Sequence, residues 1–218
     1  MPLLVARRAN EGRFMIHLMN LYAGRIALSC IALFGIAADS ACDADDLPKL
    51  SGIEVCDLAG QEYSLGDAAD AKVTVLLFLG TQCPVSNGYA PALKRLSAEY
   101  ATAGVRFLGV HCDPAVSAQA ARAHAQEYDL PFRLVLDHEQ RLAQACEVKI
   151  VPTAVVIRGD GRMLYRGRID NRFVASGVRR PEATVFDLKD ALESAVAGRQ
   201  PNPSTTDPVG CPLPLVRR

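Results

Sequence analysis

The order of apolar and polar residues predicts an α/β domain in the middle of the chain. The segment KVTVLLFLG (residues 72–80) is a continuous β-branched, aliphatic and aromatic run, typical of a strand covered on both faces. After it, apolar residues recur at spacings of four, three and four, the pattern of one face of an amphipathic helix. These residues are Tyr89, Leu93, Leu96 and Tyr100. The predicted strand therefore gives way to a helix at Cys83-Pro84.

The same alternation continues downstream. VRFLGV (residues 105–110) predicts a second buried strand, and AVSAQAARAHAQEY (residues 115–128) predicts a second helix. A strand-helix-strand-helix order implies parallel strands joined by right-handed crossovers.

Shorter elements flank this unit. IEVCDLAGQEYSL (residues 53–65) predicts a hairpin turning at Ala59-Gly60, and TAVVI with MLYRGRI predicts another across Gly159-Asp160-Gly161. FRLVLD (residues 132–137) favours an added strand, and EQRLAQAC (residues 139–146) favours one or two helical turns. A closing helix is marked by Val185, Leu188, Leu192 and Val196.

The two ends differ in composition from the domain between them. Four arginines, then an apolar run from Ile26 to Ala38, small residues and an acidic stretch predict a signal peptide over residues 1–41. The run is shorter than the about 20 residues that a membrane-spanning helix needs. We therefore expect a secreted or periplasmic protein that meets the membrane only through an uncleaved signal segment. Residues 42–51 are interpreted as a linker, 52–198 as the domain, and the Pro-rich residues 199–218 as a flexible tail without regular structure.

Composition excludes several classes of function. Lys and Arg together number 24, as do Asp and Glu, so no electrostatic field favours nucleic acid or an anionic membrane surface. The cysteines lack the spacing of a disulfide scaffold or a zinc site. His111 beside Cys112 raises the question of copper, but no Cys-x-x-x-Cys pair accompanies it. We therefore predict neither a metal nor a cofactor, and His124 and His138 are interpreted as surface positions.

Cys83 is the strongest candidate for chemistry. A helix leaves its first amide groups unpaired and has a partial positive charge at its N-terminus, which stabilises an anion such as a thiolate. Pro84 suits the first helical position. Comparable sites lower a cysteine pKa from about 8.5 to roughly 3.5–7.5, although Cys83 as a packed, inert thiol is the alternative.

The combination of FLGTQCP, VPT and the hairpin RGDGRMLYRGRI resembles the thioredoxin-like superfamily. Within it, CDLAGQEYSL and LPFRLVLD are similar to the redoxin group, which contains alkyl hydroperoxide reductases, thiol-specific antioxidants and extracytoplasmic thiol-disulfide oxidoreductases. The resemblance covers residues 52–197. It implies a thioredoxin-like fold, a central mixed sheet flanked by helices with an N-terminal hairpin.

The resemblance also implies roles for residues around the motif. Cys83 would be the attacking thiol, and Pro152 the cis-proline that faces it. Val151 would contact the backbone of a bound substrate strand, and Pro84 and Ser86 would line the same site.

The chain departs from the family pattern at the motif itself. Ser86 stands where a second cysteine would complete Cys-x-x-Cys, so the ordinary internal disulfide cannot form. Peroxiredoxins place a threonine or serine three positions before the cysteine, whereas Thr81 lies two before Cys83. Thr81 remains a candidate hydrogen-bond donor to the sulfur or to a peroxide. Candidates for the resolving thiol are Cys211 in the tail, Cys112 after the second strand, and an external thiol.

These observations predict a thiol-dependent oxidoreductase in which Cys83 forms a sulfenic acid or a mixed disulfide. Its partners would be protein thiols or disulfides, or peroxide, with an external thiol as reductant. Arg168 or Arg172 would face the site if the last hairpin folds over it. The alternative is a redox-inert module of the same fold that binds partner peptides.

Overall fold

The computed structural model describes residues 47–67, 69, 71–175 and 177–214. The predicted signal peptide and residues 42–46 of the predicted linker lie outside these residues. The strands are β1 (Glu54–Cys56), β2 (Glu62–Ser64), β3 (Val73–Phe78), β4 (Val105–His111), β5 (Arg133–Leu136), β6 (Ile150–Val151), β7 (Thr153–Arg158), β8 (Met163–Gly167), β9 (Phe173–Ala175), β10 (Val178–Arg179) and β11 (Cys211–Pro212). The helices are α1 (Pro84–Glu99), α2 (Ala118–Glu127), α3 (Arg141–Ala145) and α4 (Asp187–Val196).

A five-stranded mixed sheet forms the centre, in the order β5-β4-β3-β7-β8. β3 and β4 are parallel, as are β4 and β5, whereas β7 is antiparallel to both β3 and β8. Every residue of β3 is buried, which confirms the prediction of a strand covered on both faces. The β7-β8 hairpin and the small β1-β2 hairpin also lie where the sequence predicts them.

Helices α2 and α4 both pack beside α1. Lys189 of α4 pairs with Glu99 of α1 at 2.7 Å, and His124 of α2 contacts Asn87 of α1 at 2.9 Å. The four predicted apolar residues are all buried, three of them on α1 and Tyr100 at its C-cap. None of the helices in the described part of the chain is both long and apolar enough to cross a membrane.

The closing helix differs in detail from the prediction. α4 begins at Asp187, so Val185 precedes it, and Val185 and Val196 are both exposed. The buried stripe consists of Leu188, Ala191, Leu192 and Ala195. Two of these buried residues are alanines. The prediction misses them because it is based on the spacing of large apolar residues.

A short β9-β10 hairpin that the hydrophobic pattern does not predict lies before α4. Its Phe173 ring packs against Tyr89, with ring centroids 4.8 Å apart. A Cβ added at Gly88 would lie 2.7 Å from this ring, so the hairpin approaches α1 closely because residue 88 has no side chain.

The C-terminal segment corrects another prediction. Residues 199–218 are expected to lack regular structure. Within the described residues 199–214, however, β11 forms a strand that pairs antiparallel with β6. The register places Cys211 opposite Val151 and Pro212 opposite Ile150. The proline-rich tail thus lies on the domain next to Pro152.

Candidate active site

Cys83 lies at the junction of β3 and α1. Its backbone is extended (φ −88°, ψ 113°), which makes it the N-cap of α1, and Pro84 occupies the first helical turn. The Cys83 amide donates to the Gly80 carbonyl at 3.1 Å, which closes the tight turn that leads into the helix. This placement directs the sulfur toward the unpaired amides of the first turn.

The Cys83 sulfur lies close to the Ser86 amide and the Val151 carbonyl. The Ser86 amide donates to Sγ at 3.5 Å, and the protonated thiol donates to the Val151 carbonyl at 3.3 Å. The Val151-Pro152 peptide bond is cis, so the proline predicted to face Cys83 has the backbone form that the family resemblance implies. The side chain of Cys83 is nearly inaccessible, at 3% exposure.

Ser86 occupies the position at which a Cys-x-x-Cys motif has its second cysteine. It is buried, its hydroxyl accepts from the Gly80 amide at 3.2 Å, and hydrogen bonding by the same hydroxyl helps to lower the pKa of Cys83. Because one hydroxyl both accepts and donates, Ser86 fixes the turn and supports a thiolate at once. A Cβ at Gly80 would lie 3.0 Å from Cys83 Cβ, so this glycine lets the turn close.

The tail brings a second thiol to this position. β11 places Cys211 across from Val151, whose carbonyl accepts from the Cys83 thiol at 3.3 Å. The Leu213 amide donates to the Lys149 carbonyl at 2.9 Å and extends the pairing beyond β11. The edge that the family resemblance assigns to a substrate strand is therefore occupied by the chain's own tail.

The two thiols have opposite pKa shifts. Burial of Cys83 opposes its thiolate, but hydrogen bonds from Cys211, from the Ser86 amide and hydroxyl, and from the Val85 amide outweigh burial, so the pKa of Cys83 is lowered. Burial, the bond to Cys83 and the charge of Cys83 together raise the pKa of Cys211 to about 11. Of the two thiols, Cys83 therefore loses its proton first as pH rises, and Cys211 keeps its proton.

Cys112, the other candidate for a resolving thiol, has a different environment. Its sulfur donates to the Asp137 carboxylate at 3.6 Å. Burial comes first among the effects that raise the pKa of Cys112, followed by the charge of Asp137 and a hydrogen bond to it. Cys146 is also buried, and burial and Asp137 raise its pKa to about 12.

The remaining predicted polar residues contact other groups. Thr81 approaches α1 through its carbonyl, which accepts from Asn87 Nδ2 at 3.3 Å. Arg168 forms a bidentate pair with Asp187, at 2.7 Å and 3.1 Å, and Arg172 lies 3.9 Å from Asp170. Both arginines thus have carboxylate partners.

The histidines differ in part from the surface positions predicted for them. His124 is buried, because the face of α2 that carries it packs against α1 and the end of β4. Its ring centroid lies 5.3 Å from that of His111, which is also buried. His138 is exposed and contacts the Val116 carbonyl at 2.8 Å.

The five-stranded sheet, a cysteine at the start of the helix after β3, and a cis-proline beside it define a thioredoxin-like fold. The chain belongs to the AhpC/TSA family, whose model matches residues 44–166.

Comparison with individual proteins agrees with this assignment. The chain is 28% identical over 109 residues to the thiol-disulfide oxidoreductase ResA of Halalkalibacterium halodurans, a match that covers 50% of this chain and 60% of that protein. It resembles the crystal structure of a hypothetical protein of Sinorhizobium meliloti 1021, with a TM-score of 0.68, 19% identity, and coverage of 78% of this chain and 94% of the other. An uncharacterized conserved protein of Geobacillus kaustophilus gives a TM-score of 0.65, 22% identity, and coverage of 79% and 93%. At these identities the structural likeness concerns the fold.

Proposed function

We propose that this protein is a thiol-disulfide oxidoreductase whose redox pair is Cys83 and Cys211. The observation that carries the proposal is the β6-β11 pairing, which places Cys211 opposite Val151, the residue whose carbonyl accepts from the Cys83 thiol at 3.3 Å. Cys211 supplies from the tail the second thiol that Ser86 does not supply in the motif. The match to a relative named thiol-disulfide oxidoreductase supports the same reaction class.

The reaction proceeds by two exchange steps. The Cys83 thiolate attacks one sulfur of a substrate disulfide, the substrate S–S bond breaks, and one substrate thiolate leaves. Cys211 then loses its proton to that thiolate and attacks the Cys83 sulfur of the mixed disulfide. The second substrate thiolate leaves and takes a proton from solvent. Two electrons pass to the substrate, and the Cys83–Cys211 disulfide that forms is reduced by an external thiol.

Disulfide-bonded or thiol-bearing proteins are the proposed substrates, and the cell envelope or the exterior is the proposed location. The location rests on the arginine-rich and apolar N-terminal pattern of residues 1–41. Disulfide exchange of this kind suits an oxidising compartment.

Peroxide reduction is the second candidate for the same pair. The 3% exposure of Cys83 under the docked tail suits a small oxidant, and peroxide would give a sulfenic acid on Cys83 and release water or an alcohol. Cys211 would then attack this sulfur and release water. Thr81 lies two positions before Cys83 instead of three, and its carbonyl accepts from Asn87, which favours disulfide exchange over this alternative.

Peptide mapping of the mildly oxidised full chain tests the proposal. We expect a disulfide between Cys83 and Cys211 that dithiothreitol reverses. Cys83→Ser should abolish turnover of a disulfide-bonded peptide, and Cys211→Ser should accumulate a mixed disulfide on Cys83. Cys56→Ser, at an exposed cysteine in β1, is the matched control and should behave like the original chain.

Two results would contradict the proposal. If Cys211 stays free while Cys83 is oxidised, Cys211 is not the resolving thiol. If Cys83 neither oxidises nor exchanges, the alternative of a redox-inert peptide-binding module gains the support that the oxidoreductase loses.

A further inference from the structure

The tail is attached to the domain at two separate places. At the first, the Arg166 amide donates to the Ser204 carbonyl at 3.0 Å, and the Thr206 amide donates to the Arg166 carbonyl at 3.1 Å. The Thr206 hydroxyl also lies 2.6 Å from the Tyr165 hydroxyl and accepts from the Arg168 amide at 3.0 Å. This first attachment is built on β8.

The second attachment is built on β6 and its surroundings. It consists of the β11 pairing, the Leu213 bond to Lys149, and a bond of 2.6 Å from Gln140 Nε2 to the Pro214 carbonyl. Between the two attachments, residues 207–209 make no main-chain hydrogen bond within the described part of the chain. β11 can therefore leave β6 while Thr206 stays attached to β8.

The contact between the tail and Val151 is unusually close at one residue. A Cβ added at Gly210 would lie 1.9 Å from the Val151 carbonyl oxygen and 2.9 Å from Pro152 Cδ. A side chain at this position would overlap backbone atoms, so only glycine permits the observed approach. The residue directly before the cysteine is thus restricted by the Val151-Pro152 backbone.

We propose that β11 takes, within the chain, the place of an extended cysteine-containing segment of a partner protein, and that this segment has a glycine directly before its cysteine. The inference rests on the proposed function, since it names the partner of the same site. The main-chain groups of β6 bind one strand at a time, so a partner strand and β11 exclude each other. While the tail is docked, Cys83 is accessible to small disulfides more readily than to protein segments.

Two mixed disulfides of 2-nitro-5-thiobenzoate test the inference, and their exchange with Cys83 is followed by the release of the coloured thiol. One carries the peptide Pro-Val-Gly-Cys-Pro-Leu-Pro, and the other carries cysteamine. Both are used on the full chain with Cys211→Ser, so that the tail keeps its length but supplies no thiol.

Two further substitutions, each added to this background, weaken the docking of β11 in independent ways. Gly210→Ala places a Cβ against the Val151 carbonyl, and Leu213→Pro removes the amide that donates to Lys149. Asp207→Asn, at an exposed residue between the attachments, is the control. We expect both docking variants to raise the ratio of peptide to cysteamine rate constants about tenfold, because the competent, undocked fraction rises, and the control to leave it unchanged.

The glycine requirement is tested with the docking variants and a second peptide, in which alanine replaces the glycine. We expect this peptide to react about tenfold more slowly than the glycine peptide, because its Cβ meets the same carbonyl. Equal rates for the two peptides would refute the glycine requirement.

The outcomes separate this inference from the proposed function. An unchanged ratio in both docking variants, with rapid exchange of both probes, would refute the competition alone. Exchange of Cys83 no faster than that of a cysteine in the urea-unfolded chain, with either probe, would refute the proposed function itself.

Discussion

Cys83 and Cys112 follow neighbouring parallel strands and reach the same edge of the sheet, yet their environments are opposite. Cys83 caps a helix and receives hydrogen bonds from Ser86 and Cys211, which lower its pKa in spite of burial. Cys112 is equally buried, and beyond burial it faces the Asp137 carboxylate, so its pKa is strongly raised. Position at the carboxyl end of a strand therefore does not make a thiol reactive. Reactivity depends on whether the groups around the sulfur stabilise or destabilise the thiolate.

The largest expected difference is in alkylation rate. At neutral pH we expect iodoacetamide to modify Cys83 at least about a thousandfold faster than Cys112, because only the thiolate reacts and each unit of pKa changes its fraction about tenfold. Mass spectrometry of the labelled peptides measures both rates in one sample. The urea-unfolded chain is the control, since the two rates should converge there. If the two alkylation rates in the folded chain lie within about tenfold of each other, the pKa values of Cys83 and Cys112 are not shifted in opposite directions.

His111 ends β4 directly before Cys112 and is also buried. Its Nδ1 donates to the Leu79 carbonyl at 3.1 Å, and burial first, then the nearby His124, lower the pKa of His111 to about 4. In the unfolded chain His111 takes up its proton near pH 6.5, whereas in the folded chain it stays neutral until about pH 4. The unfolded state thus binds more protons between these values, and the folded state loses stability as pH falls through this window.

The expected loss from His111 is about 3 kcal/mol between pH 6.5 and pH 4. Urea unfolding at several pH values should therefore show a flatter pH dependence for His111→Gln than for the original chain. His138→Gln, at an exposed histidine, should leave the dependence unchanged. Equal slopes for His111→Gln and the original chain would show that His111 titrates normally in the folded state.

Removing the Cys211 thiol should raise the pKa of Cys83 toward that of an ordinary cysteine. The hydrogen bond from Cys211 is the foremost of the effects that lower the pKa of Cys83, so Cys211→Ala should move the thiolate titration to higher pH. At a pH below the titration midpoint, the thiolate fraction should fall roughly tenfold. The ultraviolet absorbance of the thiolate measures this, with Cys83→Ser identifying the signal. A midpoint that does not move would mean that the two thiols are not hydrogen-bonded in solution.

A smaller effect is expected at Ser86. Ser86→Ala removes the hydroxyl bond to the Cys83 sulfur but keeps the amide bond, so the thiolate fraction should fall only by about threefold. Ser86→Thr keeps a hydroxyl at the same position and should restore the original titration. A Thr variant that titrates like the Ala variant would show that Ser86 acts through packing.

Local sequence patterns predict most of the fold. The apolar run of β3, the helical spacing on α1 and the turn glycines between β7 and β8 are properties of adjacent residues, and hydrophobic period reports them directly. The helix-start position of Cys83 follows from the same boundary. These features need no knowledge of distant parts of the chain.

The tail and the buried histidine could not be predicted in this way. The proline-rich composition of the tail indicates that this segment has no core of its own. It does not show that β6 has a free edge with which residues 211 and 212 can pair. Because histidine is polar, the helix pattern alone suggests a surface position for His124. Only the packing of α2 beside α1 buries it. Both features depend on contacts between segments far apart in sequence.

The attachment of Thr206 to β8 has a consequence for the rate of the second chemical step. Because only residues 207–210 separate this fixed point from Cys211, a detached Cys211 stays close to Cys83, at an effective concentration in the millimolar range or above. Free thiols at lower concentrations than this would compete poorly with it for a mixed disulfide on Cys83. The tether thus gives kinetic preference to the internal disulfide and shortens the lifetime of every covalent complex with a partner.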